Sequence, residues 1–229
     1  MNKAKSIDQA LAEAFLMADH LEAPLPQRLK LYLGQSRALL PQLEATYDQL
    51  VARIADNVRA TNQVPAVGEV LPDFCMTDSQ GKPVELAALL DKAPHVISFN
   101  RGPWCDYCGL ELRSLARAYS EIVVAGGDVV SIVPETAKYA RNLQATRGVP
   151  FRVLTDIDLG YALSLGLVWV GQKVMDMYRG FGIDLAQFQA ATLVVGRDGR
   201  VKARFVDPDF RHRMPTEDIV EAVREAAQN

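Results

Sequence analysis

The sequence lacks a long hydrophobic run: nowhere do apolar residues continue for the roughly 20 positions that a membrane-spanning helix requires, so no helical span is expected. Positive charge is not in excess either. The 25 Lys and Arg are outnumbered by 28 Asp and Glu and form no dense block, so the electrostatic footprint of a nucleic-acid or anionic-membrane binder is missing. The short basic group Arg211, His212 and Arg213 reads as a solvated turn, and the segment DPDFRHR around it as a loop without evident chemistry. The opening stretch MNKAKSIDQALAEAFLMADHLEAP puts acidic residues where a signal peptide needs an apolar core, so a cytoplasmic location is expected.

Cysteine is scarce. Three in 229 residues are too few for the disulfide framework of a secreted protein, yet Cys105 and Cys108 form a C-x-x-C pair. In a reducing compartment such a pair is more often catalytic or metal-binding than structural. A tetrahedral zinc site needs further ligands, and Cys75, His20, His95 and His212 are scattered without ligand spacing, so neither a metal nor a bound cofactor is expected.

What the chain does contain is two kinds of periodicity. Ile7 to His20 reads as a helix. From Gln27 to Ala60, Leu29, Leu33, Leu40, Leu43, Tyr47, Leu50, Ile54 and Val58 recur at helical steps, with Pro41 suited to the first turn of a second piece. Nothing in this region has the look of a reaction centre. Its apolar face calls for a partner surface, which the chain's own domain or a second copy in a homodimer would supply. The segment ATNQVPAVGEVLPDF breaks the pattern, so residues 1–62 are expected to be a helical extension and 63–229 a separate α/β domain.

In the second region FCMTD and KPVEL flank the turn signal SQG as a hairpin. HVISFN is a short apolar strand, followed by a helix beginning near Trp104. GDVVSIVP is a strand, ETAKYARNLQATRG a helix stopped by Gly148, FRVLTD a strand, and IDLGYALSLG a short helix. TLVVG and VKARFV flank an Asp-Gly turn as a hairpin, and TEDIVEAVREAAQN closes the chain as a helix with Thr216 as its N-cap. This order predicts a central mixed sheet flanked by helices. The C-x-x-C turn then falls at the carboxyl end of a central strand, where open α/β sheets place their sites.

A cysteine in the first turn of a helix faces unpaired backbone N–H groups and the positive end of the helix dipole, which favour thiolate over thiol. A second cysteine three residues on lies close enough to form a disulfide. Such a pair can attack, be trapped as a sulfenic acid or mixed disulfide, and resolve internally. The Gly-Pro-Trp approach and the polar Asp106 argue against burial of the pair in apolar packing.

LPDF, SFNRGPWCDYCGLEL, FRVLTD and TLVVGRDGRV together resemble the peroxiredoxin-like branch of the thioredoxin superfamily, of the alkyl hydroperoxide reductase and thiol-specific antioxidant type. The resemblance runs from about Val64 to the C-terminus and implies a thioredoxin-like fold. It can be laid in two registers. Against the thioredoxin motif, Trp104 and Cys105 match directly, Cys105 is the nucleophile and Cys108 resolves. Against the peroxiredoxin pattern, Phe99 matches the aromatic, Arg101 stands at the proline, Cys105 at the threonine, and Cys108 at the peroxidatic cysteine, with Glu111 matching an acidic residue one turn on. Gln189, Ala190 and Ala191 stand where a peroxiredoxin has an arginine, and Ala191 where a thioredoxin has a cis-proline.

The candidate site is therefore Cys105, Cys108, Arg101, Trp104 and Glu111, with Arg101 the first candidate for a cation near sulfur and Arg179 a second. Asp106 is expected to raise the thiols somewhat. Tyr107 would shape the pocket mouth, Cys75 would be a small buried residue, and Trp169 would join the core with Val168 and Val170. The activity implied is reduction of hydrogen peroxide or an organic hydroperoxide, with recycling by a thioredoxin-like or other dithiol. A thiol–disulfide oxidoreductase acting on protein disulfides is the alternative within the superfamily. A non-enzymatic redox sensor, whose helical arm binds a partner, is the alternative outside it.

Overall fold

The computed structural model describes residues 6–61, 63–102, 104–169 and 187–228. Arg179 and Val170 lie outside the described residues, as does the side chain of Trp169.

Three helices come first: α1 (Ile7–His20), α2 (Leu25–Leu39) and α3 (Pro41–Thr61). Ser6 and Gln9 close a capping box at the start of α1, and Pro41 begins α3 where its missing N–H is harmless. The α/β region opens with β1 (Cys75–Asp78), β2 (Pro83–Glu85) and α4 (Leu86–Leu90). Then follow β3 (His95–Phe99), α5 (Asp106–Val124), β4 (Asp128–Val133), α6 (Ala137–Arg147), β5 (Arg152–Thr155) and α7 (Gly160–Ser164). A separate small ladder joins β6 (Val168–Trp169) to β7 (Gln187–Phe188), and β8 (Ala191–Val195), β9 (Val201–Val206) and α8 (Thr216–Ala227) complete the described elements.

Seven strands make one sheet in the order β2-β1-β5-β4-β3-β8-β9. The crossovers through α5 and α6 make β3, β4 and β5 parallel, while β8, β9, β1 and β2 join antiparallel. A strand buried on both faces reads as a continuous apolar run, and β3 is buried at every residue. On one face Ile97, Phe99, Val130, Ile132 and Leu154 pack with α4 and α7; on the other Val96, Val129 and Val153 pack with α5, α6 and α8.

A third apolar cluster joins the extension to the sheet domain. Phe15 and Ala18 of α1 and Leu25, Leu29 and Tyr32 of α2 pack against Tyr107, Leu110, Phe210 and the two cysteines. Of the apolar face read from the sequence, Leu29, Leu50 and Ile54 are buried within the chain, while Leu33, Leu40, Leu43 and Tyr47 are half-buried. Beneath it Asp19 is fully enclosed and accepts from three arginines: Arg28 Nη2 at 2.8 Å, Arg113 Nε at 2.6 Å and Arg117 Nη2 at 2.9 Å. Arg28 also donates to the Ala18 carbonyl at 2.9 Å and to Ser114 Oγ at 2.6 Å, so α1, α2 and α5 meet at one carboxylate.

Two expectations need correction. Thr216 is the first residue of α8, and Pro215, which has no side-chain acceptor, occupies the cap position; Glu217 and Asp218 still meet the helix dipole. Cys75 is exposed, because the two-residue period of β1 turns Met76 inward instead.

Replacing Asp19 with Ala strands buried arginine charge and is expected to lower stability in urea unfolding by about 3–5 kcal/mol. Removing Arg37, whose pair with Asp48 is half exposed, should change it by less than about 1 kcal/mol.

Candidate active site

At the end of β3 the chain turns through Asn100, Arg101 and Gly102 into α5. Gly102 takes φ 133°, and a Cβ there would lie 2.7 Å from Trp104 Nε1, so the turn requires glycine. The turn aims the Arg101 backbone N–H at Cys108 Sγ, 3.4 Å away. It also lays the Arg101 guanidinium 3.7 Å from the centroid of Phe210 and 4.8 Å from that of Trp104. These rings face a cation that is only 2% exposed.

Cys105 is the N-cap of α5, in extended conformation, and its sulfur accepts from the Cys108 backbone N–H at 3.4 Å. A sulfur here takes the place that Ser, Thr or Asp oxygen usually holds, next to unpaired N–H groups and the positive end of a 19-residue helix. Burial opposes ionisation of Cys105. The Cys108 thiol donating to it, the cations of Arg101 and Arg213, and the Cys108 N–H outweigh that penalty and hold it at about 6. For Cys108 burial and the neighbouring Cys105 sulfur win over the same arginines and push the thiol well above its ordinary range. The reduced pair is one thiolate and one thiol, with the thiol hydrogen-bonded to the thiolate.

Behind Cys108 stands Arg213. Its Nη2 lies 3.2 Å from Cys108 Sγ, its Nε donates to Glu111 Oε2 at 2.6 Å, and its Nη1 donates to the carbonyls of Phe210 and His212. Thr192 Oγ1, from β8, donates to the other Glu111 oxygen at 2.8 Å. Four groups thus fix one guanidinium against one sulfur.

A cavity of about 140 Å³ reaches Cys105. Trp104, Tyr107 and Phe210 line one side; Leu11 of α1, Tyr32 of α2, and Leu43 and Tyr47 of α3 line the other. Glu44 sits in its wall, accepting from Ser36 Oγ at 2.5 Å and paired with Arg211 at 3.2 Å. A larger cavity of about 630 Å³, between Leu29 and Leu33 of α2 and the segment from Phe205 to Pro215, touches Arg213 but neither cysteine.

The structure brings all five candidate residues into one place. Cys105, Cys108, Arg101 and Glu111 are buried, and Trp104, 37% exposed, lies at the rim. Several expectations are corrected. The dithiol is in apolar packing, with Cys105 4% and Cys108 0% exposed, because α1 and α2 cover a turn that would otherwise face solvent. Arg211 and Arg213 are buried ion-pair partners, leaving only His212 of that group on the surface. Asp106 accepts from Tyr32 Oη at 2.6 Å and pairs with Arg147 at 3.5 Å. Tyr107 is a buried wall of the cavity. The helical region contributes half of that wall, although its sequence has no reactive pattern. Sequence reasoning missed Arg213 and Thr192, which lie 105 and 84 residues beyond Cys108 and reach the site only through the fold.

A mixed sheet with a dithiol at the carboxyl end of its central strand defines a thioredoxin-like α/β fold of the thiol oxidoreductase kind. The chain belongs to the AhpC/TSA family, whose pattern matches residues 67–204, more than half of its length; by family it is a peroxidase-type oxidoreductase. No curated protein matches it in sequence. Among solved structures it is similar to peroxidoxin BcpB of Mycobacterium tuberculosis, at 18% identity and TM-score 0.58 over 69% of this chain and 96% of that one. A cysteine-to-serine mutant of PrxQ from Xylella fastidiosa gives 13% identity and TM-score 0.58 over 70% and 96%. A thiol peroxidase from Chromobacterium violaceum gives 15% and 0.57 over 71% and 88%. No described helix is long and apolar enough to cross a membrane.

Thiolate absorbance is expected to titrate with a midpoint near pH 6, vanish in Cys105→Ser, and move upward in Cys108→Ala, which removes the donor. Because the folded pKa is depressed, the thiolate's contribution to stability is complete above the ordinary thiol range and is lost as pH falls through about 6.

Proposed function

We propose that the protein reduces hydrogen peroxide or an organic hydroperoxide through a Cys105/Cys108 dithiol–disulfide cycle in which Cys105 strikes first. The observation that carries this reading is that Cys105 combines contact with the cavity, a depressed pKa and two nearby guanidinium groups, whereas Cys108 is fully enclosed and held as thiol. The thioredoxin register is thereby favoured for the order of attack within a peroxiredoxin-family chain.

In the first step the Cys105 thiolate attacks one peroxide oxygen, the O–O bond breaks, and the leaving oxygen takes a proton as water or alcohol. Arg101, at the cavity floor, stabilises the departing charge. Cys108 then attacks the Cys105 sulfenic acid, giving the disulfide and water. That attack needs Cys108 as thiolate, which the Arg213 guanidinium at 3.2 Å stabilises. Glu111 and Thr192 are positioning residues that hold Arg213. An external thiol returns the disulfide to the dithiol, and no bound cofactor enters the cycle. In this reading residues 63–229 carry the chemistry, residues 1–62 enclose it, and the cycle runs in a reducing cytoplasm.

Reduced protein mixed with peroxide in stopped flow, with sulfenic acid located by mass spectrometry, tests the assignment. Cys108→Ser should consume peroxide once and stop as sulfenic acid at Cys105, while Cys105→Ser should be inert; the reverse pattern would sink it. Wild type that ignores peroxide but accumulates mixed disulfides supports thiol–disulfide exchange with proteins instead. Arg213→Met should slow disulfide formation by about 10–100-fold, the worth of a charged hydrogen bond, with a smaller effect on sulfenic acid formation.

A further inference from the structure

We infer that the Cys105–Cys108 disulfide is reduced by a low-molecular-weight thiol entering the cavity beneath α1–α3, not by a thioredoxin-like protein. The inference rests on the proposed dithiol cycle and names its reductant.

Thiol–disulfide exchange requires the attacking sulfur to reach one disulfide sulfur in line with the S–S bond. The cavity beside Cys105 provides such an approach, but its volume of about 140 Å³ equals the share of roughly five waters. It lies far below the roughly 300–1,000 Å³ of a drug-sized pocket. A protein reductant presents its cysteine on a broad surface, and a specific protein contact covers on the order of 800 Å² per partner. Here Leu11, Leu43 and Tyr47 line the cavity together with Cys105, whose own surface is only 4% exposed.

The roof is also fastened. On one side the enclosed Asp19 ties α1 and α2 to α5 through Arg28, Arg113 and Arg117. On the other, Glu44 of α3 pairs with the buried Arg211. Lifting the roof for a macromolecule would pull Asp19 away from Arg113 and Arg117 of α5 and would leave the buried partners Glu44 and Arg211 uncompensated. The larger cavity offers no second route, because Arg213, 3% exposed, fills the space between it and Cys108.

The direction of attack fits the charges. A small thiolate adds to Cys105 Sγ, the S–S bond breaks, and its electron pair goes to Cys108 Sγ against the Arg213 guanidinium at 3.2 Å. Cys108 then takes a proton. A second thiolate attacks the outer sulfur of the mixed disulfide, releasing Cys105 as thiolate and the small disulfide. Two thiols are oxidised and one protein disulfide is reduced.

The test starts from protein oxidised with excess bis(2-hydroxyethyl) disulfide, which reaches Cys105 by the reverse of the proposed exchange, so it needs no peroxide activity; a peroxide-inert protein would defeat the peroxidase reading while leaving this one standing. Second-order rate constants for reduction are compared between 2-mercaptoethanol and reduced thioredoxin, by acid quench and mass analysis of the Cys105–Cys108 peptide. At neutral pH a thioredoxin thiol, with pKa about 7, is the better nucleophile on any disulfide both can reach. A rate constant for thioredoxin equal to or below that of 2-mercaptoethanol supports the inference, and one above it overturns it. Leu43→Ala, which shortens the roof, should raise the thioredoxin rate by a larger factor than the 2-mercaptoethanol rate; an equal or smaller factor also overturns it. If the oxidant forms no Cys105–Cys108 disulfide, the inference falls with the cycle it rests on.

Discussion

A thiolate buried in an apolar interior must be matched by buried positive charge, and that requirement organises the surroundings of Cys105. Two guanidinium groups supply it, and each then has a desolvation penalty of its own. Arg213 meets this penalty through Glu111, two carbonyls and the Cys108 sulfur; Glu111 in turn takes the Thr192 hydroxyl. Arg101 meets it partly through the faces of Phe210 and Trp104. Phe210 is edge-on to both Tyr47 and Tyr107, so a ring that serves the cation also belongs to the seam between α3 and α5. One ionised sulfur thus reaches outward through two shells into the packing of the helical region.

The same enclosure explains why the two sulfurs differ. Both are in apolar packing, both feel the same arginines, and they share a hydrogen bond. The N-cap position separates them: Cys105 looks out of the helix end toward the N–H groups and the cavity, while Cys108, three residues on, looks inward. Asymmetry of this kind favours keeping the one proton of the pair on Cys108.

The fold was legible in the sequence because its elements obey local rules. Apolar alternation marks β9, a continuous apolar run marks β3, and Gly148, at φ 64°, ends α6 where the helical period stops. Of the site, the parts contiguous with the C-x-x-C pair were legible: Arg101, Trp104 and Glu111 lie within one turn and one helix of it. Arg213, Thr192 and Glu44 were not, since their meaning arises only when β8, the 207–215 segment and α3 converge on α5. Arg213 looked like a surface charge because three basic residues in a row usually are. Arg211 finds one buried acid, Asp209, two residues away, but Glu44, which also receives it, and Glu111, which receives Arg213, are more than one hundred residues away in sequence. Cys75 failed for a simpler reason: in a four-residue strand a shift of one residue in phase exchanges inside and outside.

The family match spans residues 67–204, and two parts of this site lie beyond it on opposite sides: α1–α3 before, and Phe210, Arg211 and Arg213 after. The shared span therefore carries the sulfurs and the sheet that holds them, while the flanks carry the roof and one of the two cations. Those flanks meet each other directly through Arg211 and Glu44, over the top of the inherited domain. A change in either flank can alter what enters the site, or how the second sulfur leaves, while every strand of the central sheet stays as it is. The cavity wall is therefore divided: Arg101, Trp104, Asp106 and Tyr107 come with Cys105 from the shared span, and the rest of it from stretches that can vary without rebuilding the sheet.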